Sequence, residues 1–220
     1  MTAIEAVELY RFYHAAFDET RALRGVSLSV KKGEFVAVMG PSGCGKSTLL
    51  ACLAGLDEPD GGFVEIAGER LTRRPEPVRA LIRARNIGIL LQSGNLFEHL
   101  TVADNIHLQL RLAGVRKHRP ISEMLGKLGL EQRGDHLVSQ LSGGEAQRAG
   151  LAVAMAADPA ILLADEPTAE VDEETEAGIA KYFAERRVSG GATLVVTHSE
   201  ALARQADRIV RLRDGQVSNV

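Results

Sequence analysis

The sequence predicts an α/β fold: a phosphate-loop core on a mainly parallel sheet, an N-terminal antiparallel β subdomain, and an α-helical subdomain inserted between core strands. Three observations predict it. The stretch GPSGCGKST, Gly40 to Thr48, lies between the apolar run Phe35 to Met39 and the helically spaced Leu49, Leu50, Leu53 and Leu56, the strand, loop and helix setting that GxxxxGK[ST] requires. Two more apolar runs, Ile161 to Ala164 and Thr193 to Thr197, stop at Asp165-Glu166 and at His198, as core strands of an open α/β sheet do where they meet a ligand. Ahead of them, Leu96 to Leu141 changes to helical spacing,.

Bulk properties narrow the function classes. The chain has 220 residues, enough for one sizeable core, and 26 Lys+Arg against 29 Asp+Glu, a net charge of -3,. That balance lacks the basic excess of a protein that grips nucleic acid by its phosphates, so no nucleic-acid partner is expected. No apolar run reaches the roughly 18 to 20 residues that span a bilayer, and MTAIEAVELY lacks the build of a signal peptide,. A cytoplasmic location is expected. Cys44 and Cys52 have no companion cluster and read as free thiols,.

The elements follow in order. Alternating apolar residues at Ile4 to Phe12 and Val26 to Val30, then the turn Lys31-Lys32-Gly33-Glu34, predict a small antiparallel sheet,. Tyr10, Phe12, Tyr13 and Phe17 crowd there, either as strand packing or as a stacking platform. In the glycine-rich loop, Gly40, Gly43 and Gly45 allow several N–H groups to converge on one anion, and the helix opening at Gly45 to Thr48 adds its unpaired donors and positive dipole end. Lys46 supplies a point charge for the outer phosphates, and the Ser47 hydroxyl suits Mg²⁺. A turn at residues 57–62, a strand at Phe63 to Ile66 and a turn at Ala67-Gly68 come next. The basic stretch Arg70 to Arg85 reads as a solvated face. Ile87 to Leu91 predicts a buried strand ending at the polar Gln92.

Thr101 has the form of an N-cap for Val102, Ile106 and Leu110 before Gly114, and Met124, Leu125 and Leu128 repeat the pattern,. Ser142 and Glu145 in LSGGE fit a capping box, and Gly143-Gly144 would leave that helix terminus open to an anion,. Asp165 suits the Mg²⁺ shell and Glu166 the activation of a water, because neighbours on a strand face opposite ways. Asp172 caps a helix with an acidic first turn, and Asp214-Gly215 marks a closing hairpin,.

With these pieces in this order, the sequence resembles the nucleotide-binding subunit of ABC transporters over nearly its whole length, LSGGE being the feature that separates that family from other phosphate-loop proteins. The resemblance implies a RecA-like phosphate-loop NTPase in one domain, residues 1–220, with 1–92 and 157–220 as the core lobe and 93–156 as the helical subdomain. It implies Tyr13 as the adenine-stacking aromatic. It implies Gly40, Pro41, Ser42, Gly43, Cys44, Gly45, Lys46, Ser47 and Thr48 around the phosphates. Gln92 would link Mg²⁺ and the γ-phosphate to the helical subdomain, and Ile161 to Asp165 would form the Walker B strand, with Glu166 as base and His198 as the γ-phosphate switch. Ser142, Gly143, Gly144 and Glu145, with Asp172 ending the D-loop, would meet the ATP held by a second copy in a head-to-tail dimer. The implied ligands are ATP and Mg²⁺, and the implied partner is a separate transmembrane permease or mechanotransmission protein, on whose inner face the chain would sit.

Within the family, GVSLSV, AGLDEPDGG and NLFEHLTVADNI are most similar to the lipoprotein-release, macrolide and peptide export and cell-division group. An importer ATPase, a non-transport ATPase that regulates envelope remodelling or cell division or serves as a chromosome or repair factor, and a metabolite kinase are the competing readings. Three departures stand out: Glu170 puts a charge in the D-loop near the expected dimer interface, residues 151–156 lack the usual Arg-Ala pair, and Leu91 replaces Phe before Gln92.

Overall fold

The structure, a computed structural model, describes residues 1–15, 18–169 and 171–218. Two sheets organise it. Strands β1 (Thr2–Ala15), β2 (Asp18–Lys31), β4 (Gly61–Ile66) and β5 (Glu69–Arg70) form an antiparallel sheet in the order β2-β1-β4-β5. Strands β3 (Phe35–Met39), β6 (Ile87–Leu90), β7 (Ile161–Asp165), β8 (Ala192–Val196), β9 (Arg208–Arg213) and β10 (Gln216–Ser218) form the second, ordered β10-β9-β3-β8-β7-β6. Its pairs β3 with β8, β3 with β9, β6 with β7 and β7 with β8 are parallel, and only the β9–β10 hairpin is antiparallel. Asp214 and Gly215 both take positive φ at its turn, as a two-residue hairpin requires,.

The central strands are apolar throughout because both faces are covered. Val36, Val38, Ile161, Leu163, Leu194 and Val196 point into a core shared with the antiparallel sheet and the first helix. The residues between them, Phe35, Leu162, Ala164 and Val195, point into a second core made with helices. Phe35 meets Phe183 edge to face at 5.6 Å between ring centres, a contact that contributes about 0.5–1.5 kcal/mol beyond its buried area.

The antiparallel strands run longer than the alternation at Ile4 to Phe12 and Val26 to Val30 indicates, because register shifts interrupt the alternation without ending the pairing,. Glu8 sits in one such irregularity with φ +50, its N–H donating to Ser27 Oγ. Helix α1 (Lys46–Leu53) is shorter than its leucine spacing implies: Leu56 N–H turns back onto Ala51 O, and Leu56 is 51% exposed.

Helix α2 (Glu76–Asn86) carries part of the basic stretch, and the expectation of a solvated face is corrected there. Arg79 pairs with Glu58 and Glu76, and Arg83 pairs with Glu76 while donating to Gly55 O. Both side chains are about four-fifths covered (18% and 19% exposed). Helices α3 (Val102–Ala113), α4 (Ile121–Gly126) and α5 (Gly143–Met155) follow, then α6 (Glu173–Val188) and α7 (Glu200–Ala203). Thr101 caps α3 by accepting from Asp104 N–H at 3.0 Å. Two asparagines hold the segment between β6 and α3: Asn95 bonds both ways with the Leu91 main chain, and buried Asn105 does the same with Phe97.

Candidate functional site

Parallel strands put all their C-terminal ends on one side, so the segments leaving β3, β6, β7 and β8 converge there. They enclose a cleft of about 510 Å³ lined by Ser42, Gly43, Lys46 and Ser47 from the loop, Gln92 after β6, Asp165 and Glu166 at the end of β7, and His198 after β8. Thr168, Ala169, Thr197 and Ser199 also line it; Ala169 opens the D-loop stretch of the family resemblance, and no sequence motif marked the other three.

The loop is braced from behind. Gly45 caps α1 with φ 104°, and a Cβ there would lie 2.3 Å from the Ala22 carbonyl oxygen of β2. Gly215 N–H donates to Cys44 O at 3.0 Å, joining the closing hairpin to the loop. Pro41 and Gly40 offer their carbonyls to Lys46 Nζ at 3.0 and 2.9 Å, so the ammonium, on a residue only 7% exposed, is held at the cleft by main chain. Thr48 lies in the first turn of α1 and is not among the residues that line the cleft. Cys44 is buried beneath the loop, and burial, with Asp57 nearby, pushes the Cys52 thiol up to about 12. Both cysteines are free and are packing residues.

Burial pushes the Asp165 carboxyl upward and the Glu166 charge adds to it, while the Ser47 hydroxyl and the Lys46 and His198 side chains pull it down. Ser47 and Asp165 thus stand side by side, and Gln92 lines the same cleft. Hydroxyl, carboxylate and amide oxygens are hard donors that fit Mg²⁺, and no soft ligand is present among them. Among the described residues, no three His, Cys, Asp or Glu side chains gather into a metal-binding group of their own.

Glu166 departs from the strand at φ +45, a left-handed backbone that costs on the order of 1–3 kcal/mol for a non-glycine residue,. Its N–H still extends the ladder to Val196 O at 2.9 Å. Its carboxylate accepts the His198 N–H at 3.1 Å and lies 3.5 Å from His198 Nε2. The adjacent acids therefore separate, Asp165 toward Ser47 and Glu166 toward His198.

Tyr13 is not in the cleft lining. Its ring is 40% exposed, its hydroxyl donates to Asp57 Oδ2 at 2.7 Å, and the Arg11 guanidinium covers one face at 4.6 Å. Arg11 also binds Asp57 and Asp60. Burial pushes the Asp57 carboxyl up, but the Arg11 and Tyr13 hydrogen bonds win and hold it below the usual carboxylate range. A depressed carboxyl stabilises the fold above its unfolded pKa and loses that contribution as pH falls through the folded value. Asp57→Asn is therefore expected to lower the melting temperature by about 2–4 °C at pH 7. In circular-dichroism melts the gap should close as the buffer is acidified below the usual carboxylate range. Of the neighbouring aromatics, Tyr10 and Phe12 pack at 6.3 Å, and Phe17 lies outside the described residues.

The glycine-rich helix start at LSGGE also stands apart from the cleft. Ser142 Oγ accepts the Glu145 N–H at 3.2 Å and Glu145 Oε2 accepts the Ser142 N–H at 2.8 Å, completing the capping box. A Cβ on Gly143 would meet nothing, whereas one on Gly144 would lie 2.9 Å from Thr175 Oγ1. Glycine at 144 therefore serves the close approach of α5 to α6. Asp172 caps α6 through the Thr175 N–H, and Arg148 donates to Thr175 Oγ1 at 2.7 Å, tying the two helix starts together. The expected effect of Glu170 falls outside the described residues.

Known proteins resemble this chain in sequence and in fold. The family described as ABC transporter matches over residues 23–169. The "Macrolide export ATP-binding/permease protein MacB" of Chlorobium luteolum is 41% identical over 97% of this chain, and "Methionine import ATP-binding protein MetN" of Brucella abortus is 41% identical over 92%. The chain spans 32% of the length of the first and 56% of the second. The solved "Dimeric structure of a post-hydrolysis state of the ATP-binding cassette MJ0796 bound to ADP and Pi" superposes with a TM-score of 0.91 at 34% identity, covering 98% of this chain and 97% of that one.

Proposed function

Because the chain belongs to the ABC transporter family, as one of its ATPase cassettes, we propose that it binds Mg·ATP in the strand-end cleft, pairs head to tail with a second copy, and drives a separate membrane protein. The observation that carries the reading is the convergence of Lys46, Ser47, Gln92, Asp165, Glu166 and His198 on one cleft. In this reading Lys46 and the N–H groups of the loop neutralise the outer phosphates. Ser47 and Asp165, with Gln92, hold Mg²⁺, which when bound offsets phosphate charge and fixes phosphate orientation. Glu166, held at His198, takes a proton from the attacking water. His198 contacts the γ-phosphate, and the free face of Tyr13 receives the adenine.

Ser142 to Glu145 and Asp172 lie away from that cleft, so a single chain presents two incomplete halves of a site. A second copy related head to tail brings its LSGGE helix start to the nucleotide. Closure on ATP and reopening after hydrolysis then follow from γ-phosphate contacts made in only one state. Residues 93–156 act as the helical subdomain that senses Gln92, against a core of 1–92 and 157–220.

No described helix is long and apolar enough to cross a membrane, and the proposed location is the inner membrane face, through the partner. Similarity to the macrolide export protein supports export or force transmission; equal identity to the methionine import protein supports an importer as the second reading. The test is mass spectrometry of what co-purifies with tagged Glu166→Gln chain from detergent-solubilised membranes in Mg·ATP. A membrane protein with few spans and a large extracytoplasmic domain is expected. A many-span permease would favour import, and soluble proteins alone would overturn the transport reading.

A further inference from the structure

LSGGE carries a charge whose sign suits the lone chain and opposes its ligand. A carboxylate at Glu145 completes the capping box and complements the positive end of α5,. Glutamine would close the same box without charge. If this helix start meets a triphosphate held by a second copy, an uncompensated carboxylate there repels it.

Arg133, from the segment between α4 and the 3-10 turn Val138–Gln140, answers that charge. Its Nε donates to Glu145 Oε1 at 2.8 Å, so one carboxylate oxygen is taken by Ser142 N–H and the other by Arg133. Both bonds hold the Glu145 carboxyl below the usual range, so it is ionised at neutral pH. His136 Nε2 lies 3.3 Å from Arg133 Nη1 and steadies the guanidinium. Arg148 donates to the neutral Thr175 hydroxyl and keeps its own charge beside Gly144, so it does not hold the Glu145 carboxylate. Arg133 is 40% exposed and Glu145 18%, so the pair sits at the surface where another molecule can approach.

We infer that Arg133 is a positioning residue that holds the Glu145 carboxylate back on the capping box, so that the LSGGE surface offered to the second copy's nucleotide presents no free carboxylate. The inference rests on the head-to-tail reading above.

The test is a double-mutant cycle in the Glu166→Gln chain, reading the ATP concentration that half-saturates dimer formation by light scattering on a sizing column with Mg²⁺ present. Arg133→Met should raise that concentration at least tenfold, about 1.4 kcal/mol. Glu145→Gln should lower it. In the Glu145→Gln background, Arg133→Met should change it by less than about threefold. Arg133→Lys, which keeps the charge, should stay close to the parent, and matched melting temperatures show that the fold is retained. An equal penalty for Arg133→Met with and without Glu145, or no penalty in either background, overturns the inference. If the Glu166→Gln chain stays monomeric in saturating Mg·ATP, the head-to-tail reading itself falls and the inference with it.

Discussion

Replacing Glu166 with Gln is expected to lower steady-state ATP turnover by about 10²- to 10⁴-fold, the range a lost general base produces, and to leave nucleotide binding in place. The amide keeps the size of the carboxylate and an oxygen to accept the His198 N–H, so the bond at 3.1 Å survives. What disappears is basicity. Removing the charge also relieves the upward push on Asp165, whose carboxyl is raised by burial and by Glu166. Phosphate release and fluorescent-nucleotide titration measure the two halves separately. Turnover within fivefold of the parent would remove Glu166 from the chemistry, whatever its geometry. Loss of binding along with turnover would mean that the substitution had disturbed the cleft.

Gly45→Ala is expected to damage the loop strongly, through backbone strain and a clash together. Its φ of 104° is one that side chains rarely adopt, and the new Cβ would sit 2.3 Å from Ala22 O. Left-handed backbone costs about 1–2 kcal/mol and forced overpacking about 1–3. Together they correspond to a fall in melting temperature of roughly 5–15 °C for a chain this long. The strain bears on the loop between Gly40 and Lys46, so ATP affinity should fall as well. Calorimetry in the absence of nucleotide separates the two effects. A melting temperature within about 2 °C of the parent would mean that β2 yields more readily than its pairing with β1 suggests.

The parallel core was legible because burial on both faces leaves little ambiguity: Phe35 to Met39 is β3 residue for residue, and Ile161 to Asp165 and the run before His198 fall where the apolar pattern places them. The antiparallel strands were read short, since shifts near Glu8 and Phe12 break the period that reveals a strand. Leucine spacing carried α1 past its end because Leu56 is in step with a helix that the turn at Ala51 has already closed. Arg79 and Arg83 looked solvated because Glu58, which pairs with Arg79, and Gly55 O, which accepts from Arg83, lie beyond helix α1, pairings only the fold creates. Ser47, Asp165, Glu166 and His198 were legible as strand-end chemistry. Thr168, Thr197 and Ser199, which share their cleft, carry no motif. The left-handed backbone of Glu166 was also unreadable, because glutamate has no preference for it,.

The Glu166–His198 bond has a neighbour. Ser199 Oγ donates to Glu176 Oε1 at 2.9 Å, next in sequence to the histidine whose N–H binds Glu166. The path from Glu166 through Asp172 to Glu176 therefore leaves and returns to the same short segment after β8, like a hoop hung from two adjacent hooks. Little chain entropy separates the ends of such a hoop. The carboxylate of Glu166 and the first turn of α6 thus bond to residues adjacent in sequence, so a displacement of the segment after β8 moves the partners of both together.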